Sequence, residues 1–190
     1  MPENIEAHTI WESFRAGNEE AFVRLFYLYS DALFFYGCSI TNDRELIKDS
    51  IQELFCNLWE RKEQCPEVNK VKHFLFTALR RIILRKIQQQ HRFIFKSIDE
   101  DRQEKTDFSR ETASPEESTI QLEVKTQSQE QLRRALQSLS PRQREAIHLR
   151  YYQGLSYTEM AEVMAVQQGS IGQFIAQAIR ALRKKVGRMP

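Results

Sequence analysis

Large apolar residues return every three or four positions through most of the first half of the chain. Phe14 is followed by Phe22, Leu25, Phe26 and Tyr29, then Leu33 and Phe34. Leu46, Ile47, Ile51, Leu54, Phe55 and Leu58 come next, and Phe74, Leu75, Ala78, Leu79 and Ile82 close the series. That spacing predicts amphipathic helices whose apolar sides share one core. Residues 97–128 break the pattern. They are polar and charged, with one aromatic and no sustained period, so they cannot bury enough apolar surface to fold alone and are read as a flexible linker. Periodicity resumes with Leu132, Leu136 and Leu139, then Ile147 and Leu149, Met160, Val163 and Val166, and Ile171, Ile175 and Ile179. The expected fold is all-α, with a helical bundle over 10–96 and a second, smaller helical domain over 129–187. With 6 Gly and 5 Pro in 190 residues, the chain lacks the turn punctuation of a sandwich or barrel.

Local signals sharpen the second unit. Ser140-Pro141 is a strong helix start, because the hydroxyl caps a free amide and Pro suits the first helical position. The helix is expected to run from Pro141 to about Tyr152, and Gly154 permits a left-handed exit. Ser156-Tyr-Thr-Glu159 has the form of a capping box, opening a short helix to about Met164. A longer amphipathic helix from about Gln168 to Val186 ends in Arg180, Arg183, Lys184 and Lys185. Short helix, tight turn and longer basic-ended helix make a helix-turn-helix. The plain alternative is a helical hairpin whose basic end is a solvated face.

Charge changes the picture further. The formal net charge is only +2, but residues 1–67 carry 13 acids against 6 bases, and residues 68–96 carry 8 bases and no acid. Residues 97–128 return to acid, 9 against 4, and residues 129–190 hold 10 bases and 4 acids. Two cationic segments separated by acidic ones suit a polyanionic partner.

These motifs carry a resemblance. Leu139-Ser-Pro-Arg-Gln-Arg-Glu145 with Gly154-Leu-Ser-Tyr-Thr-Glu-Met-Ala-Glu162 resembles the promoter-reading domain of bacterial sigma factors, in particular the small extracytoplasmic-function (ECF) class. Gly172, Phe174 and Gln177 stand where that family usually has Lys, Arg and Arg, and Ala165 replaces the usual turn Gly. In the first half, Asp43-Arg-Glu-Leu-Ile-Lys-Asp-Ser-Ile-Gln-Glu-Leu-Phe-Cys-Asn-Leu-Trp59 is similar to the ECF segment that grips the clamp helices of RNA polymerase. Phe74 to Gln88 is similar to the helix that faces the melted minus-ten element, with Arg81 for the usual Asn and Arg85 for the usual Asp. The stretch from Gln64 to Lys70, broken by Pro66, looks like the loop that in the family receives a flipped base. His73, Phe74 and Phe76 are candidates for base stacking or, alternatively, for core.

The resemblance implies polymerase contacts at Asp49, Gln52, Glu53 and Trp59. It implies minus-ten DNA contacts at Lys70, Lys72, Arg80, Arg81, Arg85 and Lys86. For the minus-thirty-five duplex it implies Arg142, Gln168, Ser170, Gln173, Gln177, Arg180, Arg183 and Lys184. The partners implied are core RNA polymerase, promoter DNA and an anti-sigma factor, with a monomer when free. The competing reading is a helix-turn-helix regulator that acts without binding core polymerase; a helical adaptor with no DNA role is a third.

Nothing in the sequence suggests an enzyme. His8, His73, His91 and His148 are scattered, no Gly-rich phosphate loop occurs, and Cys38, Cys56 and Cys65 have no metal-ligand spacing. No cofactor or metal is expected. The N-terminus lacks a secretory pattern and no run of about 18 apolar residues occurs, so a cytoplasmic protein with no membrane insertion is expected.

Overall fold

The computed structural model describes residues 2–68, 70–100 and 134–186. The first half contains α1 (Pro2–Arg15), α2 (Glu19–Ile40), α3 (Arg44–Glu60), a 3₁₀ turn (Lys62–Gln64) and α4 (Val71–Glu100). A helical turn over 134–137 leads into α5 (Pro141–Ile147), a π-turn (His148–Tyr152), α6 (Tyr157–Met164) and α7 (Gln168–Val186). No strand occurs among the described residues.

Caps set the helix starts. Asn18 and Asp43 accept hydrogen bonds from the amides of Ala21 (2.9 Å) and Leu46 (3.0 Å) at the openings of α2 and α3. Ser140 and Ser156 each complete a capping box, with Gln143 and Glu159 as the reciprocal partners. Gly154 has φ +70°, the left-handed exit expected there. Ala165 also has positive φ (52°), so an alanine carries the left-handed turn between α6 and α7.

Four differences from the sequence reading stand out. Helix α1 begins at Pro2, before the expected boundary at residue 10, because Ala7, Ile10, Trp11 and Phe14 form a buried stripe. Residues 97–100 continue α4, and the expected linker from 101 onward lies outside the described residues. The helix expected over Pro141 to Tyr152 is α-helical only to Ile147. It then widens, with the Gln153 amide bonding back five residues to the His148 carbonyl at 3.2 Å. Finally, the apolar interiors of the two halves are continuous. Trp11, Phe14, Leu25, Leu33, Tyr36, Ile47, Leu75, Phe76, Leu79 and Ile83 belong to the same cluster as Ala146, Leu149, Met160, Val163, Ile171 and Ile175.

Helices α2 and α3 cross closely at Gly37, where an added Cβ would stand 2.5 Å from the Ile47 Cγ2. The loop between the 3₁₀ turn and α4 is fastened to α1. Trp11 Nε1 donates to the Pro66 carbonyl (3.1 Å) and Arg15 Nε to the Cys65 carbonyl (2.8 Å).

Candidate functional site

Three surfaces hold the residues singled out from the sequence. The first is the outer face of α3. Asp49, Gln52 and Cys56 are exposed there while Leu46, Ile47, Ile51, Leu54, Phe55 and Leu58 are buried, as the helical phase requires. Glu53, one turn on from Asp49, is half-buried and ion-paired to both Arg85 and Lys86 of α4. Residues assigned to polymerase and to DNA thus meet in one cluster. Trp59 is turned inward, its ring tilted against Phe22 with centroids 5.0 Å apart and covered by the Lys62 ammonium 4.5 Å away. Its indole fills the core edge instead of extending the polar stripe.

The second surface is α4, and here the departure from expectation is largest. Arg81 is exposed, but Lys70, Lys72 and Arg80 are engaged with the C-terminal half. Arg80 is 6% exposed, and its Nε donates to Glu145 Oε1 at 2.6 Å. Tyr36 Oη donates to the same oxygen at 2.8 Å. The Arg80 charge is needed because an unpaired carboxylate so buried would be heavily penalised. Burial, followed by the negative charge of Glu145 and its hydrogen bond, pushes the Tyr36 phenol well above its ordinary pKa.

Around that buried pair run more polar links. Lys70 Nζ lies 2.7 Å from Glu159 Oε1, His73 Nε2 lies 3.1 Å from Glu162 Oε2, and Lys72 Nζ donates to the Gln153 carbonyl at 3.0 Å. Burial alone would raise the Glu159 carboxyl, but hydrogen bonds from Lys70 and from the Ser156 side chain and amide outweigh it and bring its pKa to about 2. The His148 ring lies at the same seam, stacked on Tyr152 at 5.3 Å and tilted against Tyr36 at 5.9 Å. Burial, aided by the nearby Lys72 charge, lowers its pKa to about 4.

Phe74 and Phe76, weighed as stacking residues, both pack inward. Phe74 lies edge-on to Trp11 at 5.3 Å, and Phe76 is fully buried against Tyr36 at 4.8 Å.

The third surface is the helix-turn-helix. Gln168, Gln173, Gln177, Arg180, Arg183 and Lys184 are exposed on α7, and Ser170 is half-buried. Ile171, Ile175 and Ala178 face the core, and Phe174 packs against it. Gln177 Oε1 accepts from Gln143 Nε2 at 3.2 Å, which fixes its amide. Arg142 reaches across to the Met164 carbonyl (3.1 Å), so its charge closes the C-terminus of α6. Gly169 and Gly172 border open space, leaving the exposed face of α7 low in relief.

Sequence reasoning passed over Tyr36 and Glu145 as site residues. A signal existed for Glu145: it sits one turn before the fully buried Leu149, in the apolar phase of its helix. Arg80 is likewise in phase with Phe76 and Ile83, both fully buried. A charge in a core phase requires a partner. Among the described residues, no group of three His, Cys, Asp or Glu side chains is arranged to hold a metal ion, and no helix is long and apolar enough to cross a membrane.

Comparison with known proteins agrees with this geometry. Residues 129–182 match the family model for sigma-70 region 4. The chain is 29% identical over 177 residues to the ECF RNA polymerase sigma factor BldN of Streptomyces coelicolor, covering 91% of this chain but only 63% of that protein. It is 25% identical over 170 residues to the ECF sigma factor SigL of Mycobacterium tuberculosis, covering 88% of this chain and 90% of that one. Among solved structures, the sigma factor RpoE of Bartonella quintana, in complex with the anti-sigma factor NepR, has the same fold. Its TM-score is 0.64 at 22% identity, over 89% of this chain and 98% of that one. CnrH, in complex with the cytosolic domain of CnrY, gives 0.62 at 18% identity, over 96% and 98%. Residues 129–182 thus match sigma-70 region 4, and the chain as a whole is similar in sequence and in fold to ECF sigma factors.

Proposed function

We propose that this protein binds core RNA polymerase and directs it to promoters, with no catalytic activity of its own, in the cytoplasm. The observation that carries this reading is the pairing of two features within one chain. One is an exposed polar α3 stripe that carries Asp49, and the other is a capped helix-turn-helix with a polar, basic-ended second helix. In this reading the segment over 10–96 engages polymerase and melted minus-ten DNA, 97–128 connects, and 129–187 reads the minus-thirty-five duplex.

Asp49, Gln52 and Cys56 offer the outer face of α3 to a basic partner helix. Glu53 orders the adjoining Arg85 and Lys86, and Arg81 is exposed on the same helix. On α7, Gln173 supplies an amide able to hydrogen-bond a base edge, whereas Arg180, Arg183 and Lys184 are suited to phosphates. Two solved proteins of this fold were captured with an anti-sigma factor or a partner's cytosolic domain. A restraining anti-sigma partner is part of the proposal for this chain too.

Transcription from a promoter library by core enzyme supplemented with this protein tests the reading. Promoter-specific transcripts that require the added protein are expected. Failure to copurify with core enzyme would return the choice to a helix-turn-helix regulator acting alone. The Asp49→Lys variant is expected to abolish the core-enzyme interaction while retaining the helical spectrum, because Asp49 is exposed on a helix packed through its opposite side.

A further inference from the structure

The segment over 129–190 contains only four acidic residues, Glu130, Glu145, Glu159 and Glu162, amid ten bases. Three of these four carboxylates face α4 or the residue just before it: Glu145 pairs with the Arg80 cation and Glu159 with the Lys70 cation, and Glu162 stands 3.1 Å from the His73 ring. His73, Thr77 and Arg80 follow i, i+4, i+7 spacing, so the contacts fall along one stripe of α4 that turns toward α5 and α6. Carboxylate and phosphate oxygens make the same charge-assisted hydrogen bonds to a guanidinium or ammonium. The segment over 68–96 contains no acid, so α4 has no carboxylate of its own there to neutralise these cations.

We propose that Glu145, Glu159 and Glu162 act as an internal stand-in for nucleic-acid phosphates, latching the C-terminal half onto α4 and withholding that helix from a DNA strand until the carboxylates are displaced. The proposal rests on the reading that α4 is a DNA-facing helix. It adds the means by which that surface is kept closed in the free protein.

The other surfaces stay open in the latched form. Asp49, Gln52 and Cys56 on α3 and Gln168, Gln173 and Gln177 on α7 are exposed. The latch therefore separates two events. Polymerase docks on α3 without opening the molecule, whereas strand binding on α4 requires opening. Glu145 carries the geometric specificity, because Tyr36 and Arg80 both donate to its Oε1 inside the seam. Glu159 and Glu162 are peripheral, with side chains 20% and 61% exposed.

The test uses the full chain and a fluorescent single-stranded oligonucleotide of about 12 nucleotides as the probe. The apparent affinity of a partly closed protein is reduced by the fraction of molecules that are open. The triple variant Glu145→Gln, Glu159→Gln, Glu162→Gln is expected to bind the probe about tenfold more tightly than the parent, and its small-angle scattering radius is expected to increase. Gln at position 159 still serves the capping box, which preserves α6. The same charge change at the exposed Glu20, Glu60 and Glu63 controls for simple charge and is expected to alter affinity by less than about twofold. Should the triple variant fold poorly, Glu159→Gln with Glu162→Gln keeps the buried pair intact and is expected to give a gain of about threefold.

Equal affinities in latch and control variants, with unchanged scattering, would overturn the proposal. Expansion without tighter probe binding would overturn the phosphate mimicry. Pull-down with core polymerase reports separately on the functional reading, because the α3 stripe is exposed whether or not the latch is closed.

Discussion

Lowering the pH from 7 to 5 should loosen this protein through His148. Its ring is half-buried at the seam between the two halves, and its pKa stands near 4 against 6.5 for an unperturbed histidine. The folded state therefore favours the neutral ring. Its contribution is fully present above about pH 6.5 and is lost as the pH falls toward 4, where the unfolded chain takes up a proton that the folded chain resists. With those two values, linkage gives a loss of about 2 kcal/mol between pH 7 and 5 and a ceiling of about 3 kcal/mol. Glu159 adds nothing in that interval. Its contribution is complete above about pH 4.5 and is lost only as the pH falls toward 2. Urea unfolding of wild type and His148→Phe at the two pH values measures the difference. The variant should lose about 2 kcal/mol less than wild type over the interval. Identical pH dependence in both proteins, or a gain in wild-type stability on acidification, would refute the reasoning.

Other substitutions probe separate features. Gly37→Ala forces a methyl into Ile47 and should destabilise by about 1–3 kcal/mol, visible as a lower melting temperature. Ser156→Ala removes both the cap of the Glu159 amide and a hydrogen bond to that carboxylate, and should cost about 1 kcal/mol in denaturant unfolding. For duplex binding, Gln173→Ala should alter the ranking of minus-thirty-five sequences. Arg183→Ala should weaken all of them similarly and reduce the salt dependence of the affinity, as measured by anisotropy titrations at several salt concentrations.

The helices and their caps were largely legible because their causes are local. Ser140 with Pro141, Ser156 with Glu159, and Gly154 act within a few residues of themselves, and the structure places helix boundaries at each. The stripe of Ala7, Ile10, Trp11 and Phe14 was equally local and announces α1, although the segment draws attention first as a candidate leader. The seam is a different matter. Arg80 and Glu145 are 65 residues apart and Tyr36 and Glu145 are 109 apart, distances over which periodicity carries no information. A basic stripe on α4 reads alike whether its counter-ion is a DNA phosphate or a carboxylate from the same chain. Trp59 shows the same ambiguity, since an aromatic at the end of an amphipathic helix suits either a partner or the edge of the core.

The π-turn over His148–Tyr152 has a consequence for insertions and deletions. Such a turn is what an α-helix becomes when it absorbs one surplus residue without unravelling. Removing a single residue within this segment would let α5 continue as an ordinary helix. Because the wide turn has already absorbed the surplus residue, the chain after it would leave in nearly the same phase as before. Gln153, whose carbonyl receives Lys72, would stay beside α4, and the change would be local, around the ring of residue 148 and the Gln153 amide now 3.0 Å from it. A one-residue gap at this position in a related chain is therefore compatible with two halves that meet in the same way, whereas a gap within the α-helical part of α5 would turn everything beyond it by about 100°.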